Sequence, residues 1–320
     1  MPNLQRLSQL HKALLSDDRY RQAKLGGQDI FVGHVRGHLW RSGQPNAPKI
    51  LVLPGFTEYC EKYAHIGQVI HQKGYDSLTI DWPGQGLSGN LGRDDLAVHI
   101  DDFADHLTAL KALLVKAGWH DSELHILAHS MGGHLAIRVA SLLANQVQSV
   151  ALSTPMMVPV QKPIWAIRSL AWLLNKIGFA RHHVPFTKIP KIEDVQSFIA
   201  DNPLTKDEAG FAWQTRWFFE KPELRRFGAT NGWVGAAYGS AVKTTLNPDF
   251  LQTLEQPFLL LAAADETIID NQAIEKASHA LPNATYYVIA DARHELFNER
   301  PAAYQAVWAH IDAFWSQHIG

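Results

Sequence analysis

Cysteine is nearly absent from the chain, since Cys60 is the only one among 320 residues. No disulfide can form within one chain, and neither a thiolate metal cluster nor a Cys-X-X-Cys redox pair is available. Charge of one sign is lacking as well, because 29 Lys and Arg stand against 31 Asp and Glu, a net charge of −2. Binding of a phosphate backbone needs clustered basic side chains, so we expect no nucleic-acid partner.

Long hydrophobic runs are also missing. The longest apolar run, residues 257–264, is far shorter than the roughly 18 residues that a membrane-spanning helix requires. The first 15 residues lack the uninterrupted apolar core of a signal peptide and have the pattern of a short amphipathic helix. We therefore expect a cytoplasmic protein, and peripheral contact with the inner face of the membrane stays open, as does the oligomeric state.

Short apolar segments alternate along the chain with longer segments of helical periodicity. The predicted strands are residues 50–53, 77–80, 124–128, 150–153, 258–262 and 286–289. Such alternation predicts an α/β fold, a mostly parallel sheet flanked by helices. Residues 31–40 predict an antiparallel hairpin, joined across Gly37, that leads into this sheet.

The alternation stops in residues 155–248, which are rich in Trp and Pro and contain no convincing strand. We predict an inserted helical cap over 155–248 and an α/β core made of 1–154 and 249–320. Most aromatic side chains of the cap would form its own core. Trp213 and Trp217, spaced i and i+4, would share one helical face and either bind an acyl chain or attach the cap to the core.

Ser130 lies in Ala-His-Ser-Met-Gly-Gly, residues 128–133, where a predicted strand gives way to a helix. A sharp strand-to-helix turn needs small residues two positions before and after a nucleophilic serine. A serine nucleophile also needs a histidine base, and a carboxylate to orient that histidine. His294 follows the last predicted strand, and Asp265 follows the strand before it, in the order expected for this fold. The neighbouring Glu266 and Asp270 are alternatives to Asp265.

Two main-chain N–H groups are candidates for stabilising the negative charge of a tetrahedral intermediate. One belongs to Met131, the residue after the serine, and the other to Phe56, in the loop that follows the first parallel strand.

These residues, in this order, resemble the serine-hydrolase branch of the α/β-hydrolases that contains bacterial lysophospholipase L2 and monoacylglycerol lipase. The resemblance extends to residues 53–63, 81–88 and 292–299, and it covers nearly the whole chain. It implies hydrolysis of lipid carboxylic esters through an acyl-serine intermediate, without a metal or an organic cofactor. Pro54 and Pro83 depart from the family pattern, where His and Arg are common.

Three other functions remain open at this point. Identical triads serve different acyl groups when pockets differ, so an aminopeptidase or a C–C bond hydrolase is an alternative on the same scaffold. Acidic residues of the predicted cap, among them Glu193, Asp194, Asp207 and Glu208, could recognise a free amine. The third alternative is a non-catalytic binding protein that has kept the fold.

Overall fold

Eight strands form a single sheet in the computed structural model, which describes residues 11–159, 163–195 and 197–319, without the side chains of 193 and 194. The order is β1-β2-β4-β3-β5-β6-β7-β8. Pairs β1–β2 and β2–β4 are antiparallel and the other pairs are parallel. The strands are β1 (Gln28–Val32), β2 (Val35–Trp40), β3 (Lys49–Leu53), β4 (Asp76–Ile80), β5 (Leu124–His129), β6 (Val147–Ser153), β7 (Phe258–Ala263) and β8 (Ala284–Ile289).

Helices follow most of the parallel strands, as the alternating pattern predicts. They are α1 (Asp18–Arg21), α2 (Ala64–Gln72), α3 (Phe103–Ala117), α4 (Met131–Leu142), α5 (Ile164–Lys176), α6 (Glu208–Glu220), α7 (Asn231–Lys243), α8 (Pro248–Leu251), α9 (Asn271–Ala280) and α10 (Pro301–His318). No helix of the described residues is both long enough and apolar enough to cross a membrane. The predicted N-terminal helix falls largely on residues 1–10, outside the described residues, and residues 11–16 are helical.

The central strands are buried on both faces. Within β3, Leu51 and Leu53 belong to a core formed with α3, α4 and α9, whereas Ile50 and Val52 belong to a second core formed with α2 and α10. Successive side chains of a strand point to opposite faces, so a strand covered by helices on both sides must be apolar throughout. This explains why short uninterrupted apolar runs marked the strands, and the predicted α/β architecture is confirmed.

The hairpin at the sheet edge turns at Gly33, and the predicted turn at Gly37 is wrong. Gly33 has a φ of +58°, a conformation that favours glycine. Gly37 lies inside β2 opposite Ile30. A Cβ at Gly37 would be 3.2 Å from Leu113 of α3, so close packing, not a turn, explains this glycine.

Helices α5 to α8 all lie between β6 and β7; α5 to α7 fall within the predicted cap, and α8 begins at its last residue, Pro248. Among the described residues from 154 to 257, none belongs to a strand of the sheet. The exact boundaries of a cap at 155 and 248 stay a prediction.

Candidate active site

Ser130 occupies a sharp turn between β5 and α4. Its φ of +51° and ψ of −119° are strained for a residue with a side chain. Gly132 makes the turn possible, since a Cβ there would be 2.0 Å from the main-chain oxygen of Leu53. The turn therefore presents the Ser130 hydroxyl at the carboxyl edge of the sheet and at the N-terminus of α4, as the sequence predicts.

His294 lies against Ser130, although 164 residues separate them in the chain. Its Nε2 is 3.0 Å from Ser130 Oγ, and its Nδ1 is 2.8 Å from Oε2 of Glu266. The hydroxyl of Thr154 donates a hydrogen bond of 2.8 Å to the main-chain oxygen of His294, which ties the histidine loop to the end of β6. The structure thus brings the predicted serine and histidine together.

The predicted acid, Asp265, does not reach His294, and the structure places Glu266 there instead. The side chain of Asp265 is half exposed and forms an ion pair of 2.5 Å with Lys206 Nζ. Asp270, the other alternative, caps α9 by accepting a hydrogen bond from Gln272 N. Asp265 and Glu266 both follow β7 directly, so only the course of this loop decides which carboxylate faces the core.

Glu266 is held in the orientation that the histidine requires. Its Oε1 accepts hydrogen bonds from the main-chain N–H groups of Ile268 and Ile269, at 2.7 and 3.3 Å. Burial alone would raise the pKa of Glu266, but the hydrogen bond and charge of His294 and the two amides lower it. An ionised Glu266 accepts a hydrogen bond from the N–H at His294 Nδ1, which keeps that proton on Nδ1 and leaves Nε2 free to accept one from Ser130.

The two predicted oxyanion donors lie beside the serine. Among the described residues, none accepts a hydrogen bond from the main-chain N–H of Phe56 or Met131. The Met131 N–H belongs to the first turn of α4, where helix geometry leaves amides without a partner. A Cβ on Gly55 would be 3.1 Å from Ser130 Cβ, so the loop of Phe56 passes directly over the serine.

Side chains from the core hold this loop in place. Glu58 Oε2 accepts hydrogen bonds from Gly55 N and from the Tyr63 hydroxyl. Gln85 accepts one from Thr57 N, and Trp82 Nε1 donates one of 2.8 Å to Pro54 O. The free N–H of Phe56 is therefore fixed before any ligand binds, which is the condition for electrostatic stabilisation of a transition state.

A cavity of about 280 Å³ opens beside Ser130 and His294. Its walls are mostly apolar and include Phe56, Phe211, Phe218, Phe227, Val195, Leu204 and Ile268. The structure does not place Trp213 and Trp217, the predicted substrate-binding residues, in its wall. Trp213 is fully buried, donates a hydrogen bond to Lys62 O and packs against Trp217.

The opposite face of the same helix lines the cavity. Residues 211, 214, 215 and 218 of α6 follow the i, i+3, i+4, i+7 spacing of one helical face. The sequence shows aromatic residues on both faces of α6, so their spacing alone could not tell which face meets Ser130.

The model of the family described as serine aminopeptidase, S33 matches residues 44–301, most of the chain. The chain belongs to this family. A probable lysophospholipase L2 of Haemophilus influenzae is 27% identical over 272 residues, which are 83% of this chain and 82% of the relative. Lysophospholipase L2 of Escherichia coli is 27% identical over 316 residues, 92% of this chain and 86% of the relative. The resemblance seen in the sequence motifs is confirmed.

A solved structure has the same fold. A soluble variant of monoglyceride lipase from Saccharomyces cerevisiae superimposes with a TM-score of 0.71 at 18% identity, covering 93% of this chain and 99% of the lipase. At this identity the likeness shows the fold alone, and it confirms the α/β-hydrolase fold of this S33 family member.

A buried cluster of charges lies behind the active site. Lys62 Nζ contacts the carboxylates of Glu58 and Glu295, and His129 Nε2 lies 3.7 and 3.6 Å from the same two groups. Burial alone would lower the pKa of His129, but these carboxylates raise it. Glu58, His129 and Glu295 are close enough together to hold a metal ion. Because the Lys62 ammonium already contacts both carboxylates, we assign no metal here.

Proposed function

We propose that this protein is a serine carboxylester hydrolase that acts on monoacyl lipid esters, such as lysophospholipids or monoacylglycerols, through an acyl-serine intermediate. The observation that carries the proposal is the hydrogen-bonded series Ser130–His294–Glu266 at the wall of an apolar cavity. The lysophospholipase L2 relatives support the lipid ester as substrate. An apolar cavity suits an acyl chain, because burial of methylene groups is favourable.

In the proposed reaction, His294 Nε2 takes the proton of Ser130 as its Oγ attacks the ester carbonyl. The N–H groups of Phe56 and Met131 stabilise the oxyanion, and Glu266 stabilises the imidazolium. His294 then gives its proton to the departing alcohol oxygen, which leaves the acyl chain on Ser130. Water, activated by His294 in the same way, releases the fatty acid and restores the serine.

The test is release of p-nitrophenol from a medium-chain ester by the wild-type protein, Ser130→Ala and the control Ser316→Ala. Ser316 is exposed on α10 and bonds only to Ala313 O within its own helix. Loss of a serine nucleophile costs several orders of magnitude in kcat, so Ser130→Ala should be at least about 10³-fold slower while the control keeps full activity. Equal rates in all three proteins would contradict the proposal.

The family description also names an aminopeptidase, which would need a carboxylate to bind the free amine of its substrate. Asp207 caps α6 and pairs with Arg19 at 2.5 Å, and Glu208 is exposed. Neither lines the cavity, and the side chains of Glu193 and Asp194 lie outside the described residues. The carboxylates that do line it, Glu58 and Glu295, both contact the Lys62 ammonium. We therefore expect faster hydrolysis of acyl esters than of amino-acyl anilides by the same protein preparation, and the opposite preference would favour the peptidase.

We further propose that the protein contacts membranes peripherally through residues 163–191. This segment contains five Lys and Arg and no Asp or Glu. Trp165 and Trp172 of α5 are 73% and 62% exposed, and Phe186 is 99% exposed. Exposed aromatic side chains together with basic residues are typical of surfaces that bind anionic lipid interfaces. The cytoplasmic location stays a prediction.

Co-sedimentation with vesicles tests this contact. The wild-type protein should bind vesicles of phosphatidylcholine with phosphatidylglycerol better than vesicles of phosphatidylcholine alone, and added salt should weaken the binding. The double variant Trp165→Ser, Trp172→Ser should lose the binding. Val115→Ser, at a residue of α3 that is 62% exposed, is the matched control. Equal sedimentation of all three proteins would contradict the proposal.

A further inference from the structure

Two adjacent arginines, Arg225 and Arg226, line the cavity beside Ser130. Among the residues that the structure describes, no carboxylate forms an ion pair with either of them, and the charges of Asp95 and Asp81 act on Arg226 only from beyond ion-pair distance. Arg226 is more than nine-tenths buried, and Arg225 is partly buried. A buried guanidinium is almost never left without a carboxylate or another anion, because its transfer from water is costly.

Main-chain oxygens hold the Arg226 guanidinium in place. Nη1 donates to the oxygens of Glu223 and Arg225, at 2.9 and 3.0 Å, and Nη2 donates to those of Gly86 and Gly89, both at 3.3 Å. Its Nε is buried and has no hydrogen-bond partner among the residues that the structure describes. Carbonyl groups fix the orientation of the guanidinium, but they do not neutralise its charge.

Two other arginines of the interior, Arg36 and Arg19, are paired with carboxylates. Arg36, which is fully buried, contacts the carboxylates of Glu61 and Asp81 at 2.6 and 2.7 Å. Arg19 contacts Asp17 and Asp207 in the same way. Arg225 and Arg226 have no such carboxylate partner among the described residues, and both line a cavity in which a ligand would supply a negative charge.

The other charged groups at the cavity do not compensate for the arginines. Glu58 and Glu295 share the ammonium of Lys62, so the cavity wall carries two carboxylates against three cations. No contact joins either carboxylate to Arg225 or Arg226 among the described residues. The arginine end of the cavity is therefore positive.

We infer that Arg225 and Arg226 bind the phosphate of a monoacyl phospholipid and thereby hold its acyl ester against Ser130. This inference rests on the proposed function and narrows its substrate to lipids with a phosphodiester head group. Guanidinium groups bind phosphate oxygens through charge-assisted hydrogen bonds, and paired ones where two N–H groups are free. Among the described residues the Arg225 guanidinium donates only to Pro190 O, so it can form such a pair, whereas Arg226 would contribute its charge and its Nε. The apolar walls would take the acyl chain, so one cavity would bind both ends of the same amphiphile.

The experiment compares kcat/KM for lysophosphatidylglycerol and for the monoacylglycerol of the same chain length. Arg225→Gln should lower the ratio of the two values at least tenfold, because a hydrogen bond to a charged group is lost only with the phospholipid. Arg225→Lys should retain more of the ratio, because it keeps the charge. Arg226→Lys keeps a cation in the buried position, so it too should retain more of the ratio than Arg225→Gln.

Arg41→Gln is the matched control. Like Arg225, Arg41 donates a hydrogen bond to one main-chain oxygen, that of Ala117, but it lies outside the cavity wall and faces Asp76. This variant should keep the wild-type ratio. Thermal melting of every variant shows whether it is folded.

The possible outcomes distinguish a failure of this inference from a failure of the proposed function. A wild-type protein that hydrolyses neither lipid overturns the proposed function itself. Hydrolysis of both lipids with the wild-type ratio retained in Arg225→Gln overturns the arginine site alone. Inorganic phosphate that inhibits as strongly as a short alkyl phosphodiester would show a site for free phosphate and would also overturn the inference.

Discussion

Replacement of Glu266 by Gln changes one oxygen of the active site into an amide nitrogen and leaves the shape of the side chain unchanged. Glu266 Oε1 accepts hydrogen bonds from the N–H groups of Ile268 and Ile269, and only the amide oxygen of Gln can do the same. The amide nitrogen must then face His294 Nδ1, where Glu266 Oε2 now lies at 2.8 Å.

That arrangement forces the wrong tautomer on the histidine. An N–H donor facing Nδ1 requires Nδ1 to be unprotonated, so Nε2 of neutral His294 carries the proton and cannot accept one from Ser130. An equivalent amide replacement in a serine-protease triad lowers kcat about 10⁴-fold. We expect Glu266→Gln to lower kcat by roughly 10³- to 10⁴-fold, which corresponds to about 4 to 5.5 kcal/mol of barrier.

The assay is steady-state hydrolysis of a p-nitrophenyl ester, with Asp265→Asn as the control one residue away. Asp265 contacts Lys206 and is half exposed, so its replacement should change kcat by no more than about threefold, as for most surface substitutions. The reasoning fails if Asp265→Asn loses activity and Glu266→Gln does not. Melting curves must show that both variants are folded.

Three further predictions concern packing, pH and the cavity. Gly132→Ala should lower the free energy of unfolding by at least about 2 kcal/mol in urea denaturation, because its Cβ would lie 2.0 Å from Leu53 O. Gly239 in α7 has open space at the position of a Cβ, so Gly239→Ala should be neutral or stabilising. Burial alone would raise the pKa of Glu61, but Arg36 and Lys221 lower it to about 2 from its usual 4.5. The ionised Glu61 therefore stabilises the folded protein by about 3 kcal/mol above pH 4.5, and this contribution is lost as the pH falls towards 2. Urea denaturation across this pH range should therefore show a smaller loss of stability in Glu61→Gln than in the wild type, and parallel curves would contradict the assignment. Phe218 lines the cavity, so Phe218→Ala should raise the ratio of kcat/KM for a longer acyl chain to kcat/KM for a shorter one about tenfold. Trp217→Ala should leave this ratio unchanged.

The sequence was sufficient for the parts of this protein that depend on local pattern and chain order. Runs such as 124–128 predicted strands because a strand covered on both faces must be apolar throughout. Ser130 and His294 were identified because a serine nucleophile needs a small-residue turn at a strand end and a base from a later loop. Each motif lies within a few residues of the chain, and the order of the motifs along the chain relates them to one another.

Other features depended on the direction in which a side chain points, which only the folded chain defines. Asp265 and Glu266 are neighbours with the same chemistry, and the dihedral angles of one loop decide which of them meets His294. Helix α6 carries aromatic side chains on two faces, and its packing against the core buries Trp213 and turns Phe218 to the cavity.

The charge of Arg225 and Arg226 illustrates the same division between sequence and structure. Two adjacent arginines are unremarkable in a sequence, because most arginines are exposed or paired. Their meaning appears only when residues 225–227 and Ser130 meet around one cavity and, among the described residues, no carboxylate forms an ion pair with either arginine. The sequence thus determined which chemistry is available at the end of each strand. Tertiary structure decided which side chains share a space, because that depends on contacts between segments far apart in the chain.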